Sequence, residues 1–351
     1  MDIETPALVL DLDRLQANVD RMAEAVASAG LGLRPHAKTH KCLEIARLQV
    51  ESGAVGLTVA TLSEAEVFAR AGFTDLLVAF PVVPVGAKAD RLRRLLDLTE
   101  VTLGVDNPTG AASVAEAARG ASARVAIEVD SGQHRTGVVP SQVLPLAEHC
   151  RALGLRVVGA FTHGGHSYAG PGSPGAAARD EGVALAEAAM RLRDAGFDVE
   201  FMSAGSTPTT GTERPSEVTE ERPGTYVFND RQQLALGACD ERDLALSIAA
   251  TVVSAHDDRF VVDAGSKALA SDRPEWLAGH GWIPALDATV VKQSEHHGVV
   301  TGAARRPPVG EVVHIVPNHA CTAVNLFDEY VVTRGGAVVD RWRVAARGHS
   351  V

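Results

Sequence analysis

The sequence predicts an α/β fold in which an N-terminal TIM-type (β/α)8 barrel is followed by a C-terminal β-rich domain. Between residues 10 and 236, short apolar runs alternate with longer amphipathic stretches in about eight units, the number of a closed barrel. From Cys239 onward, alternating apolar runs follow one another with no helical stretch between them. We therefore expect a barrel over residues 10–236 and a β domain over residues 1–9 and 237–351. An open doubly wound sheet is the alternative to the barrel.

The barrel elements follow from the hydrophobic pattern. Strands are predicted around Leu33 and at residues 57–60, 76–79, 101–105, 125–129, 157–161, 200–203 and, with a weaker pattern, 217–219. Helices are predicted at residues 62–71, 86–98, 108–119, 142–153 and 175–195. Because catalytic groups of such barrels lie at the C-terminal ends of the strands, the segments after these strands are the ones to search for a site.

The β domain is predicted from shorter runs in which apolar and polar residues alternate. These runs lie at residues 244–253, 259–262, 289–291, 312–316 and 329–333. The tail, residues 338–346, is predicted to be a last strand that pairs back with the N-terminal segment.

Composition excludes several classes of partner. The chain has 351 residues, 46% of them hydrophobic, and a formal net charge of −11 with no Lys/Arg-rich run, so we expect no nucleic acid partner. No apolar run approaches membrane-spanning length and the N-terminus is charged, so we expect a cytoplasmic protein without a membrane partner. The four cysteines are scattered, which disfavours a disulfide framework.

Lys38 is the first candidate for chemistry. It follows the strand predicted at Leu33, and His36, His40 and Lys41 are its neighbours in sequence. Like charge and partial burial both favour a neutral amine, so a depressed pKa is expected. A neutral lysine at the barrel mouth can form a Schiff base with a carbonyl. The alternative is an ordinary solvated lysine in a basic turn.

The segment around Gly205, Ser206 and Thr207 is a candidate anion site. It follows a late barrel strand, where barrels commonly hold a phosphate, and its backbone amides and hydroxyls can converge on one anion, with a helix expected behind them. Together with Lys38 this loop predicts a phosphorylated carbonyl cofactor. A Ser/Thr-rich turn without a ligand is the alternative.

His319 and Cys321 form a His-x-Cys motif in the β domain. In an extended segment residues i and i+2 point to the same face, so imidazole and thiolate would grip one cation. Two ligands suit a catalytic metal with open positions, and thiolate with imidazole prefers zinc over magnesium. The alternative is a buried cysteine beside a hydrogen-bonded histidine. The segment 295–298 is a second polar cluster that offers a further ligand or a solvated turn.

Two more barrel loops carry polar side chains. Arg135 follows the strand at 125–129, where it would bind an oxygen of the cofactor or a substrate carboxylate, unless it only pairs with Asp130. The loop 162–168, which ends at Tyr168, occupies the corresponding place after the next strand, and one of its side chains would stack on a ring or meet its nitrogen.

Seven segments together resemble the D-threonine aldolase and D-serine dehydratase family, which belongs to the alanine-racemase-like fold type of pyridoxal-phosphate (PLP) enzymes. They are residues 34–41, 130–137, 205–209, 223–230, 263–267, 295–298 and 317–321. The resemblance spans nearly the whole chain. It implies a cofactor, PLP, held by Lys38, Arg135, Tyr168, Gly205, Ser206, Thr207 and Tyr226. In it Lys38 forms the Schiff base, and Tyr168 meets the ring nitrogen.

The resemblance also implies a divalent metal at His319 and Cys321. Aldolase members of the family carry a motif similar to His-x-Asp at this place, which favours manganese or magnesium. Dehydratase members carry a motif similar to His-x-Cys and hold zinc. The cysteine therefore favours a D-serine dehydratase-like lyase, in which Lys38, His319 and Cys321 are catalytic and a β-hydroxy D-amino acid gives a 2-oxo acid and ammonia. A homodimer is expected.

Four other functions stay open. A D-threonine aldolase would release glycine and an aldehyde, with metal-bound hydroxide or a histidine as its base. A racemase would need a second base and no metal. A PLP carrier would need no His-x-Cys motif. A metal-dependent amidohydrolase-like barrel would use His36, Lys38 and His40, and it would be colourless and indifferent to borohydride.

Overall fold

The computed structural model describes residues 3–119 and 123–351, which form two compact units. The first unit comprises the described residues of Met1–Arg21 together with Thr39–Ile45 and Thr225–Arg347. The second comprises Met22–Lys38, the described residues of Ala46–Gly224, and Gly348–Val351. Among the helices of these described residues, none combines the length and the hydropathy that a bilayer-crossing segment needs.

Strands and helices alternate through the first two thirds of the chain. The strands are β1 (Ala7–Asp11), β2 (Gly32–Leu33), β3 (Leu57–Val59), β4 (Asp75–Pro81), β5 (Glu100–Val105), β6 (Arg124–Val129), β7 (Arg156–Thr162), β8 (Phe201–Ala204), β9 (Glu220–Glu221), β10 (Leu246–Ala255), β11 (Phe260–Val262), β12 (Gly281–Ile283), β13 (Ala288–Gln293), β14 (Gly298–Thr301), β15 (Val312–Pro317), β16 (Glu329–Arg334) and β17 (Ala337–Arg343). The helices are α1 (Leu12–Ser28), α2 (Leu43–Glu51), α3 (Leu62–Arg70), α4 (Ala87–Leu98), α5 (Pro108–Ala118), α6 (Val143–Ala152), α7 (Pro174–Asp194), α8 (Arg231–Ala235), α9 (Ser266–Leu269) and α10 (Ala320–Val324).

The second unit is a barrel of parallel strands. Its eight strands follow the order β2-β9-β8-β7-β6-β5-β4-β3. The segment after β2 then pairs with β3 through a bridge between His36 and Thr58, in which Ala37 N donates to Thr58 O at 2.8 Å and Thr58 N donates to Pro35 O at 2.8 Å. These bonds close the barrel, so the predicted (β/α)8 fold is confirmed. Its interior contains an apolar cluster of Leu77, Ala126, Val158, Phe161 and Phe201.

One barrel strand lies directly after the residues near which it was predicted. The weak pattern at residues 217–219 precedes the actual strand β9, which consists of Glu220 and Glu221. Both side chains are buried and ion-paired, Glu220 with Arg34 and Glu221 with Arg214. Charged residues are seldom buried unless paired, so the hydrophobic pattern could not reveal this strand.

The first unit holds the mainly antiparallel sheet predicted as a β-rich domain. Its nine strands follow the order β11-β14-β13-β12-β15-β10-β1-β16-β17. The prediction that the tail pairs with the N-terminal segment is wrong, because β16 pairs with β1 in parallel and the tail strand β17 pairs with β16. Gly335 and Gly336, with φ of 54° and 81°, join β16 to β17 in a tight hairpin that turns the tail to the far edge of β16.

Candidate active site

Lys38 is exposed and lies two residues after the bridge that closes the barrel. Burial, together with the charges of Lys38 and Arg222, holds the pKa of His36 well below its ordinary value. Burial and the charges of Lys38, Arg135 and Arg222 do the same to the pKa of His163. The amine at this end of the barrel therefore has two neutral imidazoles beside it.

Lys38 has two imidazoles near it. One is His36, and the other is His163 from the loop after β7, whose pKa the Lys38 charge helps to lower. In the first unit, His40 Nδ1 accepts a bond from Cys42 N at 3.1 Å, and Lys41 Nζ donates to Asn325 Oδ1 at 2.9 Å. Lys41 has φ of 50°, so the chain turns sharply there and neighbours in sequence need not be neighbours in space.

The anion loop Gly205–Thr207 follows β8, the seventh strand of the barrel. Gly205 N donates to Glu181 Oε1 at 3.2 Å and Ser206 N donates to Thr209 Oγ1 at 2.9 Å, so two amides that the sequence offered to an anion are bound within the protein. The Ser206 hydroxyl lies 3.1 Å from Thr209 Oγ1 and 3.4 Å from Ser167 Oγ. A hydrogen-bonded turn follows the loop where a helix was expected, and in it Thr209 N and Thr210 N both donate to Ser206 O. The loop thus presents buried hydroxyls to an anion rather than a row of free amides.

Gly205 is required by the shape of this loop. Its φ is 91°, and a Cβ at this position would lie 1.7 Å from Glu221 Oε2. We expect Gly205→Ala to lower the free energy of unfolding by about 2 kcal/mol or more, because strain and a clash with a buried side chain add up. Urea denaturation measures this loss.

The control for Gly205→Ala is Gly154→Ala. Gly154 has a similar φ of 79°, and a Cβ added there would meet nothing within 4 Å, so this variant reports the cost of the backbone alone. Equal losses in the two variants would contradict the role given to the Glu221 contact.

Arg135 and Tyr168 occupy the loops after β6 and β7. Asp130, the alternative partner of Arg135, instead accepts bonds from Gly132 N at 2.9 Å and from His134 N and Nδ1 at 3.0 and 2.8 Å. Arg135 is exposed, and its charge helps to lower the pKa of His163. The Tyr168 ring ends the helical turn Gly165–Tyr168 and lies 6.4 Å from the His163 ring. Both side chains thus belong to loops at the C-terminal ends of the barrel strands.

Arg222 is a site residue that the sequence reasoning missed. It is buried directly after β9, its guanidinium lies 5.3 Å from the Phe161 ring centroid, and burial lowers its pKa. Arg222 Nη2 donates to Thr162 O, whereas Nη1 has no hydrogen-bond partner among the described residues. Glu128 Oε2 and Ser203 Oγ are likewise buried without a partner in the described part of the chain. The position of Arg222 just after a strand was the signal available in the sequence.

These polar atoms fit a phosphorylated, ring-containing cofactor. Unpaired buried donors and acceptors cost free energy, so they indicate a polar ligand that satisfies them. Arg222 supplies a donor and Glu128 an acceptor, and burial raises the pKa of Glu128. With the hydroxyls at Ser206 and the amine of Lys38, the barrel has the donor set that PLP requires.

His319 and Cys321 lie together, though not for the reason predicted. Strand β15 ends at Pro317, His319 precedes helix α10 in an extended conformation, and Cys321 is in the first turn of that helix. The strand-to-helix turn, rather than the alternation of an extended segment, brings the imidazole close enough to the thiol for Cys321 to raise its pKa. Asp230 holds this turn because its Oδ2 accepts a bond from Ala320 N at 2.9 Å.

The surroundings of this pair fit a divalent metal. His319 Nδ1 is hydrogen-bonded to Asp272, whose other oxygen accepts from Thr322 at 2.6 Å, so Nε2 is the nitrogen left for a metal. Burial opposes a charged imidazole, but Cys321 and Asp272 outweigh it and raise the pKa of His319 well above its ordinary value. No group of three His, Cys, Asp or Glu side chains in the described ranges is arranged to hold a metal. The pair thus offers two protein ligands and leaves other positions open.

Two other predicted features lie in the same unit. Tyr226 is buried in the turn Thr225–Val227, next to the Thr225 hydroxyl, which lies 3.8 Å from Cys321 Sγ. The segment 295–297 is an exposed turn in which Glu295 pairs with Lys267 Nζ at 2.6 Å, as expected of a solvated turn.

Two family models match the chain in sequence order. The model of the N-terminal domain of alanine racemase matches residues 10–232, and the model of a putative serine dehydratase domain matches residues 245–333. The first match contains all eight barrel strands, and the second contains β10 to β15 and all of β16 except Arg334.

Curated relatives are similar over nearly their whole length. D-threo-3-hydroxyaspartate dehydratase of Delftia sp. (strain HT23) is 36% identical over 97% of this chain and 97% of its own. D-threonine aldolase of Arthrobacter sp. is 34% identical over 99% of this chain and 94% of its own. D-serine dehydratase of Dictyostelium discoideum is 28% identical over 97% of this chain and 96% of its own.

Solved structures agree with these relationships. The Delftia dehydratase matches with a TM-score of 0.89 at 34% identity, over 97% of each chain. Solved variants of a D-threo-3-hydroxyaspartate dehydratase include one with a histidine replaced by alanine and one with a cysteine, two positions later, replaced by alanine. The cysteine variant is in a metal-free form. His319 and Cys321 have the same spacing.

Proposed function

We propose that this chain, which belongs to the D-threonine aldolase and D-serine dehydratase family of PLP-dependent enzymes with an alanine-racemase-like fold, is a D-serine dehydratase-like lyase. It would act on β-hydroxy D-amino acids with PLP and a divalent metal and release a 2-oxo acid and ammonia. The domain boundaries remain a prediction, in which residues 10–236 would bind PLP and residues 1–9 and 237–351 would carry the metal site.

The barrel residues would hold PLP. Lys38 would bind its aldehyde carbon, the Gly205–Thr207 loop its phosphate, and Arg135 would lie near its ring oxygen. Tyr168 and Arg222 would approach the ring, with Arg222 Nη1 as a donor that lacks a partner among the described residues. Tyr226 would flank the cofactor.

His319 and Cys321 would hold the metal, and zinc is the proposed ion. A thiolate and an imidazole form a softer ligand pair than magnesium or manganese prefers, which favours zinc. Manganese and magnesium are the alternatives. Asp272 would keep His319 in the tautomer whose Nε2 faces the metal.

Bound PLP supplies an electron sink for negative charge at Cα, and a bound metal polarises the β-hydroxyl. The amine of Lys38 would take the proton from Cα, because it lies at the C-terminal end of the barrel strands. His36 and His163 stay neutral beside it, because burial and the charges of nearby cations hold their pKa values well below the ordinary value. The positions left open at His319 and Cys321 leave room for the substrate hydroxyl, which departs as water in the elimination.

The observation that supports a dehydratase rather than an aldolase is the thiol of Cys321 beside His319. A D-threonine aldolase is the second candidate, supported by the relative from Arthrobacter sp.. In retro-aldol cleavage a base would remove the proton of the β-hydroxyl, and the bond between Cα and Cβ would break to give glycine and an aldehyde.

Product analysis separates the two reactions. Purified protein loaded with PLP and zinc is incubated with D-serine, D-threonine and D-threo-3-hydroxyaspartate, with the L-isomers as controls. We expect 2-oxo acid and ammonia in equal amounts from the D-isomers and no glycine. Glycine with an aldehyde and no 2-oxo acid would replace the dehydratase by the aldolase. Conversion of a D-amino acid into a mixture of D- and L-isomers, without either product, would indicate a racemase.

The homodimer and the cytoplasmic location stay predictions. Light scattering after gel filtration measures the first, and cell fractionation measures the second. The amidohydrolase-like alternative has no support among the relatives reported above, which are dehydratases and aldolases.

A further inference from the structure

A buried ionic cluster lies directly behind the anion loop. It consists of Arg214, Glu181 and Glu221, whose side chains are 2%, 0% and 1% exposed. Arg214 Nε lies 2.7 Å from Glu221 Oε1, and its Nη2 lies 3.0 Å from Glu181 Oε2. No chemistry described above uses these groups. Burying three charges costs free energy unless the ion pairs and hydrogen bonds among them are well formed.

The cluster joins three separate elements of the barrel unit. Glu181 belongs to α7, Glu221 to β9, and Arg214 to the segment between the anion loop and β9. Arg214 Nη1 also donates to Ala178 O in α7 at 2.8 Å, and Nη2 donates to Thr209 O at 3.3 Å. The planar fork of the guanidinium makes these contacts at once, which an ammonium group cannot do.

Glu181 also fixes the backbone of two loops. Its Oε1 accepts bonds from Gly164 N at 2.8 Å and from Gly205 N at 3.2 Å. The loops after β7 and β8 are thereby tied to one carboxylate. Since Glu221 Oε2 occupies the space beside Gly205, both acidic members of the cluster touch the first residue of the anion loop.

We propose that Arg214 is a positioning residue that sets the anion loop for the phosphate of the cofactor. It holds Glu181 and Glu221 in the places from which they shape Gly205, and it holds Thr209, whose hydroxyl binds Ser206. The hydroxyls of Ser206 and Thr207 are then ordered before a ligand arrives. This inference rests on the proposed function, since it takes PLP as the ligand.

Comparing PLP with pyridoxal tests the proposal. Pyridoxal carries the same aldehyde and ring but no phosphate, so the ratio of the two affinities reports the anion loop alone. Apo-protein is titrated with each aldehyde and the visible absorbance of the lysine adduct is followed. We expect Arg214→Lys, which keeps the charge and loses the fork, to weaken PLP about tenfold or more and to leave pyridoxal within about threefold.

Arg124→Lys is the matched control. Arg124 also bridges two carboxylates of the same unit, Glu100 at 3.2 Å and Glu200 at 2.6 Å, but it lies at the start of β6, away from the anion loop in the barrel topology. We expect this variant to keep the wild-type ratio. Glu221→Gln keeps the side-chain shape, removes its charge, and tests the cluster from its other end if Arg214→Lys does not fold.

Hydrogen–deuterium exchange of residues 205–210 in the apo-protein separates failure of this inference from failure of the proposed function. Faster exchange there in Arg214→Lys, with unchanged exchange in Arg124→Lys, supports the positioning role whatever the cofactor is. If wild-type protein binds neither aldehyde, the proposed function fails and this exchange result decides the inference alone. Equal weakening of PLP and pyridoxal, or unchanged exchange, would overturn the inference.

Discussion

Replacing Lys38 with alanine is expected to abolish covalent binding of PLP and to lower the turnover of β-hydroxy D-amino acids by about a thousandfold or more. The reason is that, in the proposed function, one amine would serve both as the anchor of the cofactor and as the base at Cα. Borohydride reduction followed by peptide mass spectrometry measures the adduct, and 2-oxo acid release measures turnover.

Lys88→Ala is the control for this experiment. Lys88 is exposed on α4 and is not among the residues proposed to bind the cofactor or the metal, so this variant should keep both adduct and activity. An adduct on a lysine other than Lys38 in the wild-type protein would refute the assignment, and an uncoloured wild-type protein that is indifferent to borohydride would refute the cofactor.

Replacing Cys321 with alanine should remove the bound metal and about two to four orders of magnitude of activity, because a single imidazole ligand remains. Metal content per chain, measured after dialysis, is the primary readout. Cys321→Asp should bind metal again but shift its preference from zinc towards manganese or magnesium, since a carboxylate is a harder ligand than a thiolate.

Cys239→Ala is the matched control for the metal experiment. Burial raises the pKa of this half-buried thiol to about 12, so it stays protonated and should not bind metal. If Cys321→Ala kept a full complement of zinc, the His-x-Cys pair would not be the metal site.

Periodicity predicted the barrel because seven of its strands are apolar or nearly so. It gave only a weak signal for β9 and placed this strand slightly early, because its residues Glu220 and Glu221 are charged and are neutralised by Arg34 and Arg214. The partner of Glu220 is 186 positions away in sequence. No local pattern contains the information that such a charge has a partner, so a strand of buried ion pairs looks like a loop.

The candidate site was predictable to the extent that its chemistry is local in sequence. Two residues of spacing were enough to pair His319 with Cys321, although a helix turn and not an extended strand joins them. Arg222 was missed, and His163 was one of several polar side chains in the predicted loop 162–168, because each comes near the candidate site only when separate strands align. Their significance is a property of the closed barrel.

The bridge between His36 and Thr58 links assembly of the enzyme to its chemistry. This seam joins the first and second strands of the ring, and the lysine that would capture the cofactor comes two residues later. A nascent chain whose ring is still open cannot hold that amine opposite a phosphate pocket built from the seventh strand. The appearance of colour during refolding with PLP should therefore report closure of the barrel. It should come later than the gain of helical circular dichroism signal.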